Sequence, residues 1–118
     1  MRVPSHPTLI RRMLHHRLKQ VGTDTPVLSA GLSLVHKRCG QPSCACHQGG
    51  PLHPAHHLTY KDNGKTRTVY VPKDLLTEVQ AWVAEHQRLK SLLNEINQLT
   101  LALVRTHSQH RKRRQGRP

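Results

Sequence analysis

Three cysteines crowded into one short, turn-rich stretch constrain this chain more than any other feature. The stretch reads Cys39-Gly-Gln-Pro-Ser-Cys44-Ala-Cys46-His-Gln-Gly-Gly-Pro-Leu-His53, and it holds every cysteine of the protein. Zinc takes four sulfur or nitrogen ligands in a tetrahedron, and glycine and proline turns let a short loop fold back on one centre. The predicted ligands are Cys39, Cys44 and Cys46, with His53 as the leading fourth because a Gly-Gly-Pro turn can return the chain to the sulfurs. His36, His47, His56 and His57 are also within reach in sequence. A disulfide framework calls for an even cysteine count and an oxidising compartment, and the N-terminus carries no apolar signal segment. Cysteines serving only as small core residues would need apolar neighbours, which this loop lacks. The expected cofactor is therefore one structural Zn2+.

Such a centre meets a need set by composition. Among 118 residues there are three aromatics (Tyr60, Tyr70 and Trp82) and no Phe, so no large core can form. A small domain of this kind needs a staple, either a metal or self-association. The formal charge is +13, from 19 Lys and Arg against six acids, so the chain repels itself and attracts polyanions. Zinc on three thiolates would lower that to about +12. No run of 18 apolar residues occurs, so no membrane span is expected, and reduced cysteines point to the cytoplasm.

Read in order, the chain predicts an α+β protein: an N-terminal helix, a small three-stranded antiparallel sheet with a zinc-binding loop, and a long C-terminal helix with coiled-coil character. Residues 1–7 read as a flexible arm. Over 8–22, Leu9, Ile10, Met13, Leu14, Leu18 and Val21 fall at helical spacing, and Gly22 is the expected stop. Arg11, Arg12, Arg17 and Lys19 fill the other side of this basic amphipathic helix. Residues 22–31 read as a linker, and Leu32 to Arg38 as a strand delivering Cys39 to the loop. Two Thr-, Val- and Tyr-rich runs, His57 to Lys61 and Thr66 to Val71, flank Asp62-Asn-Gly-Lys65, a strong hairpin signal.

After Pro72 the period changes. Leu75, Val79, Trp82, His86, Leu89, Leu93, Ile96, Thr100 and Leu103 step by four and three, which is a heptad seam. No Gly or Pro interrupts residues 73–115, so a helix of about 30 residues, about 45 Å long, is expected, and 32–104 forms a single small domain. Leu89, Leu93, Ile96 and Leu103 are the candidates for pairing with a second copy or a partner helix. Residues 105–118 read as a basic disordered tail, with Arg111, Lys112, Arg113 and Arg114 able to condense on phosphates.

No Asp or Glu occurs between residues 25 and 61, so the loop lacks the carboxylate base of an open catalytic zinc site, and no enzyme or small-molecule substrate is expected. The expected function is nucleic-acid binding. Its footprint comprises the α-helical cations, the tail, and Lys37, Arg38, Lys61, Lys65 and Arg67. The alternative is a structural or adaptor protein acting through its long helix.

A resemblance joins these pieces. Cys39-Gly40, Pro42, Cys44, Cys46, His53, Gly64-Lys65-Thr66, Tyr70-Val71-Pro72 and the long helix together resemble a family of small uncharacterised prokaryotic proteins often found beside mobile elements. The resemblance covers roughly residues 32–104 and leaves out the N-terminal helix and the Arg-rich tail. Where that family carries Gly-Pro and aromatics after the ligand histidine, this chain has Pro54-Ala55-His56-His57. The resemblance implies the metal loop and the architecture; the family has no established function, and its association with mobile elements makes an accessory role there the expectation.

Overall fold

A computed structural model describes the backbone of residues 1–115 and the side chains of residues 1–109. The order of elements is α1 (Pro7–Leu18), β1 (Gly31–Lys37), a 3-10 turn (Ala45–Gln48), β2 (His53–Asp62), β3 (Lys65–Val71) and α2 (Leu76–Gln115). The predicted α+β architecture is thus present. The chain divides into two units, Met1–Asp24 with Gln87–Pro118, and Thr25–His86.

The second unit carries the sheet, ordered β1-β2-β3 and antiparallel throughout. Its hairpin turns at Asn63 (φ 50°) and Gly64 (φ 82°), the left-handed pair that a two-residue turn requires. Asp62 therefore sits opposite Lys65, and this register carries through to His56 opposite Val71. Strand β2 begins earlier than its Thr- and Tyr-rich run suggests, at His53. Pro54 is tolerated there because β3 ends opposite His56, so this part of β2 pairs with β1 alone. Leu58, Val71 and Val79 form a buried cluster with Leu28, Ala30, Leu32, Leu75, Leu76, Trp82 and Val83 packed around it. The stretch before β1 is therefore more than a linker: Leu28 joins the core, and its N–H donates to the Trp82 carbonyl (3.2 Å).

The first unit pairs α1 with the C-terminal part of α2. Pro7 opens α1, and His6 caps it by accepting from the Thr8 N–H. The helix ends at Leu18, short of the expected Gly22 stop. Its last turn tightens through Gln20 N–H to Arg17 O and Val21 N–H to Leu18 O, and Gly22 is not left-handed. Beyond the helix, the Arg88 guanidinium holds the Gln20 and Gly22 carbonyls (2.9 and 3.0 Å) and so fixes the segment that follows it.

Among the described residues of this unit, Ile10, Leu92 and Leu99 are the buried side chains. The heptad seam expected through Leu93 and Thr100 is displaced by one residue: Leu93 is 57% exposed and Leu99 0%. Leu89, Ile96 and Leu103 are half-buried within the chain's own packing. Helix α2 also continues past Val104 to Gln115, as the absence of Gly and Pro permits. The side chains of Arg111, Lys112, Arg113 and Arg114 lie outside the described residues.

Candidate metal centre

Cys39 follows the end of β1, Cys44 and Cys46 flank the start of the 3-10 turn, and His53 opens β2. Sheet register brings the last of these to the others. Lys37 pairs with His53 across β1 and β2, so the residue two beyond Lys37 lies beside the first residue of β2. The same register carries His56 to Leu34 and His57 to Ser33, along the strand and away from the sulfurs.

The loop between them is held by short backbone bonds. Cys44 N–H donates to Gln41 O (3.1 Å), His47 N–H to Cys44 O (3.0 Å) and Gly50 N–H to Ala45 O (2.8 Å). Gly49 takes φ 86°, and a Cβ on Gly50 would lie 2.6 Å from the Ala45 carbonyl oxygen. Both glycines are required by this return of the chain.

The donor atoms of Cys39, Cys44, Cys46 and His53 all lie within 4.8 Å of one another. Cys39 Sγ and Cys46 Sγ are 3.6 Å apart, and Cys44 Sγ and His53 Nε2 are 3.2 Å apart. A tetrahedron with metal–sulfur bonds of about 2.3 Å has sulfur–sulfur edges of about 3.8 Å and sulfur–nitrogen edges of about 3.5 Å. The four residues are thus positioned to hold a metal ion, and they are the four expected from the spacing. His47, adjacent to a ligand, serves differently: its Nε2 meets the Cys39 carbonyl at 2.7 Å, as a donor that ties the loop to the end of β1.

The thiols are tuned unequally. Cys44 is drawn down from 9.0 to about 6, chiefly by the Cys46 backbone N–H, then by His53 and the neighbouring sulfurs. Cys46 accepts from the Cys39 N–H, which favours its thiolate, but burial and the sulfurs of Cys44 and Cys39 outweigh that bond and push it up. A metal cation is the group that makes all three thiolates favourable together.

This chain is a member of the DUF6788 family, a domain of unknown function. The match spans residues 11–81, and so takes in most of α1, the sheet, the metal loop and the first turns of α2. It differs in extent from the resemblance drawn over 32–104, since it includes the N-terminal helix from Arg11 and stops at Ala81. No curated protein and no solved structure matches the chain.

The expected polyanion contacts fall in separate places. Arg11, Arg12 and Lys19 are exposed in the α1 unit, whereas Arg17 is half-buried and bonded to Glu95 (3.0 Å). Lys37 and Arg38 stand at the metal end of the sheet, with the Lys37 ammonium 5.7 Å from the Tyr70 ring centroid. Lys61, Lys65 and Arg67 lie toward the hairpin end, about 23–30 Å away along β2 at about 3.3 Å per residue. Lys61 donates to Thr66 (2.6 Å), and Arg67 pairs with Asp62 at an exposed site (3.0 Å). Tyr70 near the end of β3 and Lys73 just after it stand at the metal end too, because β1 and β3 finish at the same end of this antiparallel sheet.

Proposed function

We propose that this is a zinc-stabilised, strongly basic nucleic-acid-binding protein without catalytic activity, acting as an accessory factor of a mobile element. The observation that carries the reading is charge: six acids can match at most six of 19 Lys and Arg, leaving 13 cations for an external polyanion. The Cys39, Cys44, Cys46 and His53 donor set supports zinc, which favours soft thiolates with imidazole in closed four-coordinate structural sites. Bound there, zinc would fix the open end of the sheet. The absence of any Asp or Glu over residues 25–61 supports a structural centre, because no carboxylate base stands beside it in sequence. The accessory role rests on the resemblance in sequence alone.

The test is fluorescence anisotropy of metal-assayed protein against duplex DNA, single-stranded DNA and RNA over a salt series. Binding that persists at about 150 mM salt and favours one substrate supports a recognition surface. Equal collapse for all three would refute it. A second reading, a structural or adaptor protein acting through α2, is favoured by Leu93, Leu101 and Val104, which are exposed by 57%, 46% and 58%. Its test is sedimentation: Leu93→Lys would dissociate a homodimer and leave a monomer unaffected.

A further inference from the structure

The end of the sheet beside the metal centre carries a second feature, a cleft of about 380 Å³ lined by Lys37, Arg38, Cys39, His53, Pro54, Ala55, Tyr70 and Lys73. Its origin is in the register. Strand β3 stops opposite His56 while β2 reaches back to His53, so residues 53–55 have a neighbour on one side only and form the floor. Both β1 and β3 run antiparallel to β2 and end here. Lys37 and Arg38 therefore rise from one side, and Tyr70 and Lys73 from the other. Pro54 offers no N–H on this short open edge, so another β-strand is poorly served by it.

The walls suit an anion. Three cations line the cleft and no acid does. Among the described residues neither Arg38 nor Lys73 has an ion-pair partner, and both are exposed. The cations could serve only to offset the centre, but a divalent ion on three thiolates and a neutral imidazole carries about −1, which leaves the lining about two charges positive. Tyr70 is half-exposed and is held edge-on by His57, with ring centroids 6.4 Å apart at 89°, while the Lys37 ammonium lies over its face. A guanidinium can grip phosphate through two parallel bonds, and the ammoniums add point charge.

We infer that this cleft binds the phosphodiester backbone of a nucleic-acid strand, with Arg38 and Lys73 as the phosphate contacts and Tyr70 as the wall against the adjoining sugar or base. The inference rests on the nucleic-acid reading above and gives it a location. The test compares full-length, metal-loaded wild type with two double variants of equal charge, Arg38→Ala/Lys73→Ala at the cleft and Lys61→Ala/Lys65→Ala at the hairpin end. Anisotropy is measured with a labelled single-stranded oligonucleotide across salt.

The cleft pair is expected to weaken binding about tenfold or more, as for lost charge-assisted contacts, and to reduce the salt slope by about 1.4. The hairpin pair is expected to weaken it less than about threefold, as for distant surface charge. Equal losses in the two pairs, with wild type still binding at about 150 mM salt, would overturn the cleft and leave the nucleic-acid reading standing. No wild-type binding at that salt would overturn both. Binding of phosphatidylserine vesicles that is lost in the cleft pair, with oligonucleotide binding retained, would overturn the assigned occupant. Should the cleft variant lose metal or fold, amide shifts in the wild type decide instead. Perturbation by the oligonucleotide at Lys37, Arg38, Tyr70 and Lys73 supports the site, and perturbation confined elsewhere refutes it.

Discussion

Cys44 and Cys46 are separated by one residue, yet their thiols shift in opposite directions. Cys44 lies in a half-buried position with the Cys46 N–H and His53 directed at it, whereas Cys46 is only 2% exposed. In metal-free protein at pH 7, Cys44 is therefore the thiolate and should be alkylated by iodoacetamide ahead of Cys46, as mapped by peptide mass spectrometry. Its rate should fall about tenfold per unit below pH 6, because thiolate is the nucleophile. The stability it contributes to the metal-free fold is fully present above 9.0 and is lost as pH falls through about 6. Cys46, raised, acts in the opposite sense, stabilising the thiol form and losing that contribution as pH rises. Equal labelling at pH 7 would contradict this assignment. Cys44→Ser should abolish metal retention and lower the melting temperature of the sheet unit, since a structural zinc contributes directly to folding. His47→Ala should retain the fold but lose roughly tenfold in metal affinity, the scale of an outer-shell contact, in a competition assay with a chromophoric chelator.

At the scale of elements, the loop and the long helix are constrained by space. Gly50 approaches Ala45 so closely that Gly50→Ala should cost about 1–3 kcal/mol in urea unfolding, with weaker metal retention, because the Cβ must displace backbone. In α2 the heptad arithmetic identified an apolar helix but not which residues its own chain would cover. Leu99→Ala should cost about 2–5 kcal/mol, as a fully buried leucine. Leu93→Ala should stay within about 0.5 kcal/mol in the monomer. Extra apolar residues at Leu92, Leu99 and Leu101 made several stripes available, and periodicity alone could not choose among them. The hairpin was legible because Asn63-Gly64 is a local signal with a single conformational solution. The end of α1 was not, since Arg88, distant in sequence, holds the carbonyls that follow it.

At the scale of the whole molecule, the excess of cations and the small core set the terms. Among the described residues, buried apolar side chains are few: Ile10, Cys46, Ala55, Leu58, Val71, Val79, Leu92 and Leu99. Chelation with EDTA should therefore broaden and lower the thermal transition reported by circular dichroism, and an unchanged transition would refute a structural role for the metal. Among the described residues, no helix is long and apolar enough to cross a membrane. Removing residues 105–118 deletes six Lys and Arg and should reduce the salt slope on duplex DNA by up to about 5, whatever the sequence of the duplex.

The sequence by itself determined what local chemistry can determine: three sulfurs in one loop, a two-residue hairpin, a long uninterrupted helix and a large excess of cations. Each depends on residues close together in the chain, so spacing is enough. Tertiary structure decided what depends on residues far apart. Strand register selected His53 over His56 and His57, packing chose Leu92 and Leu99 over Leu93, and Glu95 claimed Arg17. It also joined Lys37 and Arg38 to Tyr70 and Lys73 across β2, because only the assembled three-stranded sheet brings the ends of β1 and β3 to the same end of β2.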